Sequence, residues 1–237
     1  MLSIRLEILS FCYQQGTPFE KTALRNITLT IEPGTFLGVA GLSGAGKTTL
    51  LRHLSGFLRP TSGRITFDGL PVDAHGARDL RRRVGLVFQH PEDQLFEETV
   101  YKDIAFGLSG AGVSPEEAAE RVREALEAVG LGEELLERSP FGLSGGEKRR
   151  VAIAGVMVMK PSVLVLDEPS VGLDPRGRGE ILDHIARMRR KRGVTVVLAT
   201  HDMEQMARYA EKVVVLKGGS IVSEGTPREV FRDAGAL

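Results

Sequence analysis

Residues 36–49, FLGVAGLSGAGKTT, decide the fold of this chain. They open with a short apolar strand and run through a glycine-rich loop into TLLRHLSGFL, where the leucines recur at helical spacing. The loop has the form Gly-x-x-x-x-Gly-Lys-Thr, with Gly41, Gly46, Lys47 and Thr48 at the fixed positions. A loop of this form between a strand and a helix is typical of a phosphate-binding P-loop.

Each residue type in this loop suits the binding of phosphate or of its metal ion. Glycines let the backbone N–H groups turn inward around phosphates, and the following helix directs its positive N-terminus at them. Lys47 would bridge the β- and γ-phosphates of a nucleotide, and Thr48 would ligate Mg²⁺. The predicted nucleotide-binding residues of the loop are Gly41, Leu42, Ser43, Gly44, Ala45, Gly46, Lys47, Thr48 and Thr49.

An acidic pair, Asp167 and Glu168, follows a second apolar run at 162–166. Ligands bind at the carboxyl ends of strands in parallel sheets, so this strand would deliver both carboxylates to a ligand-binding edge. Neighbouring residues of a strand face opposite ways, which allows the two acids different roles. Asp167 would support Mg²⁺ through its water shell. Glu168 would position or deprotonate the attacking water.

Composition narrows the class of protein. A chain of 237 residues with 42% hydrophobic and 26% charged residues suits one large domain, or one domain with a small subdomain. Lys plus Arg and Asp plus Glu both number 31, which disfavours a globally basic nucleic-acid binder. The single cysteine excludes an internal disulfide and a cysteine-based zinc site. With no signal-peptide pattern and no apolar run near the roughly 20 residues of a membrane span, we expect an intracellular chain without its own membrane segment.

Alternating strands and helices predict an α/β fold with a mostly parallel core sheet. Residues 2–9 and 24–31 alternate like antiparallel strands, and further strands are predicted at 64–67, 84–88 and 194–199. Helices are predicted at 176–191 and 203–210. Gly218 and Gly219 indicate a hairpin between two apolar runs.

The middle of the chain has a different pattern, and it predicts a helical insertion at about 90–142. Ser114, Pro115 and Glu117 predict a helix start with a capping box, and Gly130 would end that helix. We therefore expect a single domain over 1–237, with an α/β core at about 1–89 and 143–237. An antiparallel β subdomain would lie at the N-terminus.

A third motif, Leu143-Ser144-Gly145-Gly146-Glu147, resembles the signature motif of ATP-binding cassette (ABC) proteins. Its serine and glycine N–H groups would form another phosphate cradle at the start of a helix. In the ABC family the signature of one subunit closes over the ATP held by the P-loop of another. The resemblance therefore implies an ATPase of the ABC-type P-loop fold, acting with Mg²⁺ as a head-to-tail dimer with two ATP molecules at the interface.

Other family positions match in the same order. Gln89 resembles the Q-loop glutamine, which senses Mg²⁺ and the γ-phosphate, so the implied Mg²⁺ set is Thr48, Gln89 and Asp167. His201 resembles the switch histidine, which contacts the γ-phosphate and orders Glu168. The catalytic set that the resemblance implies is therefore Glu168, His201 and Gln89.

The D-loop and the adenine site are also implied. Residues 170–174 resemble the D-loop, represented by Gly172, Leu173 and Asp174. Tyr13 resembles the aromatic residue that stacks on adenine, with Phe11 close by as the alternative ring.

The stretch 88–107, FQHPEDQLFEETVYKDIAFG, is similar to the energy-coupling factor (ECF) type of importer ATPase, which includes cobalt and nickel members. In that group a short helix follows the Q-loop beside a groove for the membrane partner. The residues implied here are Pro91, Asp93, Gln94, Leu95 and Phe96. The implied function is ATP-driven uptake of a vitamin or a transition-metal ion through separate membrane subunits, one coupling and one substrate-binding. The chain would be peripheral on the cytoplasmic face of a prokaryotic cell membrane.

The resemblance also bears on assembly. Family members often run several tens of residues beyond the position of Leu237, and that tail helps to hold the two ATPase subunits together. The sequence does not decide whether this chain is naturally short or truncated, so it leaves dimerisation through a tail open. Because Lys47, Ser144, Glu168 and His201 are all present, one chain would supply both halves of a competent site. This favours a homodimer and leaves a paralogous partner open.

Two alternatives remain at this point. The first is another kind of ABC importer ATPase, from which residues 93–96 distinguish the ECF type. The second is an ABC protein acting on nucleic acid or ribosomes, favoured only by the basic runs at 81–83 and 187–192. Since cationic residues at a helix C-terminus complement the helix dipole, we expect no nucleic-acid partner.

Overall fold

The computed structural model describes residues 3–72 and 76–232, apart from the side chains of 77–79 and 175–176. Leu2, at which the predicted N-terminal strand begins, lies outside this range. The chain forms two compact units. The first comprises the residues up to Leu86, Ser162–Glu168, and the residues from Gly193 onward. The second comprises Val87–Pro161 and Pro169–Arg192.

The strands, in chain order, are β1 Ile4–Tyr13, β2 Lys21–Ile31, β3 Phe36–Ala40, β4 Ser62–Phe67, β5 Leu70–Pro71, β6 Val84–Val87, β7 Val163–Asp167, β8 Thr195–Ala199, β9 Lys212–Lys217 and β10 Ser220–Gly225. The α-helices are α1 Lys47–Leu54, α2 Gly76–Arg83, α3 Val100–Phe106, α4 Pro115–Ala128, α5 Gly145–Met157, α6 Pro175–Arg192, α7 Met203–Tyr209 and α8 Pro227–Arg232. Short 3-10 helices lie at Pro91–Gln94, Glu133–Leu135 and Pro140–Gly142.

A six-stranded sheet in the order β10-β9-β3-β8-β7-β6 forms the core. Strand β3 pairs in parallel with β8 and β9, and β7 pairs in parallel with β8. Every residue of β3, β7 and β8 is buried, which is why these strands read as continuous apolar runs rather than as alternating ones. The mostly parallel core sheet is confirmed, and so is the antiparallel hairpin of β9 and β10 around Gly218 and Gly219.

The predicted N-terminal antiparallel sheet is also confirmed. Its strand order is β2-β1-β4-β5, and β1 pairs antiparallel with both β2 and β4. Register shifts interrupt both pairings, and Ile8 takes a left-handed φ of 48° within β1. Backbone carbonyl oxygens of β1 at this irregularity leave no room for a side chain at Gly63, the facing residue of β4.

The second unit is helical, and it contains more than the predicted insertion at 90–142. Helices α5 and α6 belong to it, because α5 packs closely on α3 and α6 is tied to α4. A Cβ atom on Gly107, at the end of α3, would lie 2.6 Å from the carbonyl oxygen of Gly155 in α5. The carboxylate of Glu124 in α4 pairs with Arg192 of α6 at 3.1 Å. Among the described helices, none is long and apolar enough to cross a membrane.

The basic runs are partly used in local contacts. In α2 the guanidinium of Arg81 donates to the carbonyl oxygen of Gly56 at 3.0 Å, and Arg83 pairs with Asp68 at 3.3 Å. At the end of α6, Arg192 pairs with Glu124. These contacts, together with the helix-dipole position of the second run, account for part of the basic runs within the fold.

Helix α1 carries a fully buried histidine, His53, against the N-terminal sheet. Its Nδ1 lies 2.8 Å from the carbonyl oxygen of Thr49, and its ring meets that of Phe11 edge-on at 4.7 Å between centroids. Burial lowers the pKa of His53, against the opposing hydrogen bonds with the backbone of Thr49 and Arg59. The folded chain therefore holds this histidine neutral.

His53 should make the folded state sensitive to acid. Unfolded histidine titrates near pH 6.5, so the unfolded chain binds a proton that the folded chain resists. The contribution is therefore intact above about pH 6.5 and is lost as the pH falls below it. We expect the melting temperature to fall less between pH 7.5 and pH 5.5 in His53→Phe than in the wild type. Each kcal/mol shifts a chain of this size by about 2–4 °C, which calorimetry resolves. Equal falls in the two proteins would contradict the assignment, whatever their absolute melting temperatures.

Candidate functional site

The P-loop joins β3 to α1 and forms a cradle of backbone. Gly46 has a φ of 108°, and a Cβ atom there would lie 2.7 Å from the carbonyl oxygen of Ala23. The loop is fixed by the β9–β10 turn, since the N–H of Gly219 donates to the carbonyl oxygen of Ala45 at 3.1 Å. Beside it lies an open cavity of about 190 Å³ lined by residues 42–45 and 216–218. A loop that excludes side chains in this way is suited to phosphate oxygens.

Lys47, Thr48 and Asp167 lie together beside this cradle. The Lys47 ammonium donates to the carbonyl oxygens of Gly41 at 2.6 Å and Leu42 at 3.3 Å. The hydroxyl of Thr48 is hydrogen-bonded to the Asp167 carboxylate. A hydroxyl next to a carboxylate is a donor set that fits Mg²⁺. Strand β7 thus brings Asp167 to the residue that the P-loop motif assigns to the metal.

The environment of Asp167 disfavours its charge. Burial, the largest cause, raises the pKa of Asp167, and the neighbouring charge of Glu168 raises it further. The hydrogen bond from Thr48 and the charges of Lys47 and Arg52 act in the opposite direction. A cation placed at this site would stabilise the ionised carboxylate.

Glu168 and His201 form the second part of the site. Nδ1 of His201 lies 3.0 Å from both carboxylate oxygens of Glu168. Glu168 has a left-handed φ of 50°, and its N–H donates to the carbonyl oxygen of Ala199 at 2.9 Å. A non-glycine residue held in this region is uncommon and is often found at functional sites. The strand ends of β7 and β8 therefore bring the predicted carboxylate and histidine into contact.

The candidate adenine residue is tied to the P-loop helix. Oη of Tyr13 lies 3.2 Å from Oγ1 of Thr49, and either atom is able to donate. The Phe11 ring stands edge-on to both Tyr13 and His53, each at 4.7 Å between centroids. Thr49 is buried, and its hydroxyl makes this contact with Tyr13. Stacking of adenine on Tyr13 stays a prediction.

In the second unit, the signature motif begins α5 with a complete capping box. The N–H of Glu147 donates to the hydroxyl oxygen of Ser144 at 3.3 Å, and the N–H of Ser144 donates to the Glu147 carboxylate at 2.8 Å. The Ser144 hydroxyl itself donates to the same carboxylate at 2.7 Å, and this bond is the main cause that lowers the pKa of Glu147. Leu143 is buried, whereas Ser144 and Gly145 are exposed. The helix N-terminus thus faces solvent.

The D-loop lies next to the signature. A surface cavity of about 450 Å³ is lined by Ser144, Gly146 and Arg150 of α5, by Leu173 and Asp174, and by residues of α6. Gly172 has a φ of 81°, and Asp174 begins α6 by accepting a hydrogen bond from the N–H of Gly177 at 3.1 Å. The side chain of Asp174 is therefore used as a helix cap, and its role at a nucleotide stays a prediction.

Gln89 lies after β6, in the second unit, and its side chain is exposed. Thr48 and Asp167 belong to the first unit. The shared Mg²⁺ site of these residues stays a prediction.

The predicted short helix beside the partner groove covers only Pro91–Gln94, and it is a 3-10 helix. Pro91 is buried, Asp93 and Gln94 are exposed, and Leu95 is already extended. Phe96 is 57% exposed and meets Phe106 of α3, which is 54% exposed, edge-on at 4.9 Å between centroids. The sequence does not identify Phe106 as part of this surface, because its place beside Phe96 depends on the fold of the second unit.

Another part that the sequence did not reveal is a set of buried charges around this segment. Arg149 of α5 pairs with Glu92, and Asp103 of α3 accepts hydrogen bonds from the N–H groups of Phe96 and Glu97, each at 3.2 Å. Burial raises the pKa of Asp103, against these two hydrogen bonds. In the sequence such residues are indistinguishable from charges on a solvated helix face.

The fold, the P-loop and the acidic residues at the end of β7 together define a nucleotide-hydrolysing cassette. The sequence pattern of the ABC transporter family matches residues 24–171. The chain belongs to this family, and it is an ATPase.

Within the family, the chain belongs with the ATP-binding proteins of ECF transporters. It is 48% identical to the energy-coupling factor transporter ATP-binding protein EcfA2 of Acetivibrio thermocellus, over 100% of this chain and 84% of that protein. The structure of cbiO1 from Clostridium perfringens, part of the ABC transporter complex cbiONQ, superposes with a TM-score of 0.89. It is 41% identical over 98% of this chain and 91% of that one. A dimeric ATP-binding cassette in a post-hydrolysis state, bound to ADP and Pi, has a TM-score of 0.84 and 30% identity, over 95% and 99% of the two chains.

Proposed function

We propose that this chain is the ATP-hydrolysing subunit of an ECF-type importer, in which hydrolysis drives uptake of a vitamin or of a transition-metal ion such as cobalt or nickel through separate membrane subunits. The observation that carries the proposal is the arrangement at the ends of β7 and β8. There Asp167 meets Thr48 of the P-loop, and the next residue, Glu168, meets His201. This arrangement provides a phosphate cradle, a metal position and a base for water in one compact unit.

The residues divide the chemistry between them. The P-loop N–H groups and Lys47 would bind the phosphates, while Thr48, Asp167 and Gln89 would hold Mg²⁺. The ion would neutralise charge on the phosphates when bound. Glu168 would orient the attacking water and accept its proton, and His201 would keep the Glu168 carboxylate in place. Because Nδ1 of His201 faces the Glu168 carboxylate, Nε2 is the ring nitrogen left to meet a phosphate oxygen.

The exposed signature supports a composite site. Ser144 and Gly145 present a helix N-terminus to solvent in the second unit. A second ATPase subunit, identical or paralogous, would place this cradle over the ATP of the first in a head-to-tail dimer. The dimeric cassette with ADP and Pi is consistent with this arrangement.

Ser144→Ala should slow hydrolysis without weakening the binding of ATP to the monomer. The variant removes a hydroxyl donor that would reach the γ-phosphate only in the dimer, and each such oxyanion contact is worth about 10²–10³ in rate. Turnover and the dissociation constant of ATP, measured on the same preparation, check this. Ser139→Ala removes a hydroxyl from a nearby loop outside the motif and serves as the control. Weaker binding of ATP to the monomer of the Ser144 variant would count against a role in the partner's site.

The exposed aromatic pair Phe96 and Phe106 supports attachment to a membrane partner. Phe96 ends the segment 91–96, where the resemblance places the groove for the coupling subunit, and Phe106 packs against it. With a formal net charge of zero, we infer that attachment to the cytoplasmic face of the cell membrane depends on this contact rather than on attraction to anionic lipid. The EcfA2 relative and the cbiO1 protein are bacterial, which fits a prokaryotic transporter.

Affinity purification of this chain from its native membranes tests the proposal. We expect integral membrane proteins to co-purify, including a small substrate-binding protein whose ligand names the cargo class. The purified complex, placed in liposomes with ATP inside or outside, should take up that ligand only when ATP reaches this subunit. Recovery of ribosomes or DNA in place of membrane proteins would contradict the importer function.

A further inference from the structure

Arg149 is a charged residue with no part in the mechanism above, and it is almost completely buried, at 3% exposure. It lies on α5, shortly after the signature motif. Its Nε donates to Oε2 of Glu92 at 2.9 Å, and an Nη2 hydrogen bond to Oε1 makes the pair bidentate. Glu92 belongs to the 3-10 helix Pro91–Gln94, within the predicted docking segment, residues 91–96. Arg149 therefore holds this segment against the signature helix.

The same guanidinium reaches a third part of the second unit. Nη1 of Arg149 donates to the carbonyl oxygen of Pro169 at 3.3 Å and to that of Val171. Pro169 directly follows Glu168 in the chain, and Val171 lies in the D-loop, residues 170–174. One side chain thus uses its three nitrogen atoms to connect the docking segment, the signature helix and the start of the D-loop. The fixed fork of a guanidinium permits this, whereas a lysine ammonium is a single point donor.

The surroundings of the Glu92–Arg149 pair favour the ionised form of Glu92. Burial alone would raise the pKa of Glu92, but its hydrogen bonds with Arg149 and with its own backbone, and the charges of Arg149 and His90, together lower that pKa. The far end of the docking segment is also fixed, because Asp103 accepts hydrogen bonds from the N–H groups of Phe96 and Glu97. A displacement of the 3-10 helix therefore has to move Arg149 or break its bonds.

We propose that Arg149 is a positioning residue that couples the docking segment to the D-loop, so that the position of Glu92 sets the placement of residues 169–171 and, through them, the rate of ATP hydrolysis. Its action on hydrolysis rests on the proposed function, since the docking segment takes its role from the importer. Arg149 acts through the loop that follows the catalytic Glu168.

A double-mutant cycle tests the coupling. Glu92→Gln, Arg149→Lys and the double variant are compared for kcat and for the KM of ATP, in isolated ATPase subunits and in the purified transporter complex. We expect each single variant to lower kcat about fivefold or more, the lower range of typical coupling effects, with the KM of ATP unchanged. The double variant should be no slower than the slower single variant, because both changes break the same connection. Independent, multiplying effects on kcat, or a wild-type kcat in Arg149→Lys, would overturn the proposal.

Amide hydrogen exchange supplies a readout that a merely structural role would not give. Exchange at residues 170–174 should rise in Glu92→Gln and Arg149→Lys while α3 and α4 keep their protection. A rise throughout the second unit would mean general loosening and would overturn the proposal. Should Arg149→Lys fail to fold, Glu92→Gln alone still decides, because it keeps the size of the side chain.

The matched control is the pair Glu117 and Arg121 on α4, which also bonds a glutamate to an arginine in this unit. Glu117→Gln and Arg121→Lys should change neither kcat nor the exchange of the D-loop. The two hypotheses fail separately. If the wild-type complex shows no uptake but the cycle in isolated subunits is non-additive, the importer function is wrong and the coupling stands. If uptake is normal and the cycle is additive, the coupling is wrong.

Discussion

Glu168→Gln is expected to lower the rate of ATP hydrolysis by about 10²- to 10⁴-fold while ATP binding is retained. The amide keeps the shape of the side chain but is unable to accept the proton of the attacking water. It still offers a carbonyl oxygen to Nδ1 of His201, which lies 3.0 Å from the carboxylate, so the geometry of the strand ends should survive. The phosphate cradle around Gly46 is untouched by the change.

Because the Glu168→Gln variant should still bind ATP but hydrolyse it slowly, it should also accumulate as an ATP-bound dimer. Size exclusion with ATP and Mg²⁺ should show twice the monomer mass, and single-turnover assays should show ATP retained rather than released as ADP. Glu224→Gln is the matched control, since Glu224 forms a surface pair with Lys212 at 2.5 Å in the same unit. Wild-type turnover in Glu168→Gln would show that another group activates the water.

The parts of the site that the sequence predicts well are those built from neighbouring residues. The P-loop and the Asp167–Glu168 strand end each depend on a short stretch, because a strand or helix next to the motif fixes where its residues go. The meeting of Glu168 with His201 was predictable only through the family resemblance. Their contact, over 33 positions of sequence, depends on β7 and β8 being neighbours in the sheet.

The two capping patterns show where local rules reach their limit. Both Ser114 and Ser144 are followed three positions later by glutamate, and both hydroxyls cap their helices. At α5 the box is complete. At α4 the carboxylate of Glu117 instead pairs with Arg121, so the predicted capping box forms only by half. A competing cation one turn along the helix decides between the two outcomes.

The extent of the helical unit was harder to predict for a related reason. Helices α5 and α6 follow the signature motif and the D-loop, and their amphipathic patterns do not say which neighbour they pack on. The close approach of Gly107 to Gly155 and the pairing of Glu124 with Arg192 place them with α3 and α4. Arg149 and Glu92, 57 positions apart, became recognisable as a pair only once α5 and the 3-10 helix were in contact.

Lys47→Ala is expected to weaken ATP binding itself, by about 10- to 100-fold. A hydrogen bond to a charged group contributes about 1.5–3 kcal/mol, and every 1.4 kcal/mol is a tenfold change in affinity. The ammonium of Lys47 lies at the P-loop, held by the carbonyl oxygens of Gly41 and Leu42, where it is ready to turn to the phosphates. Alanine is compatible with the first turn of α1, so the fold should be kept. Calorimetric titration of the purified subunit with ATP measures the loss.

The contrast between the two variants separates the two halves of the site. Lys47→Ala should lose ATP affinity and therefore fail to form the ATP-bound dimer, whereas Glu168→Gln should bind ATP and accumulate that dimer. Lys212→Ala removes the same charge from a surface ion pair in the same unit and should bind ATP as the wild type does. Undiminished affinity in Lys47→Ala would mean that the backbone N–H groups of the loop bind the phosphates without its ammonium. The cradle around Gly46 would then be the whole of the phosphate site, and Lys47 would act only in the transition state.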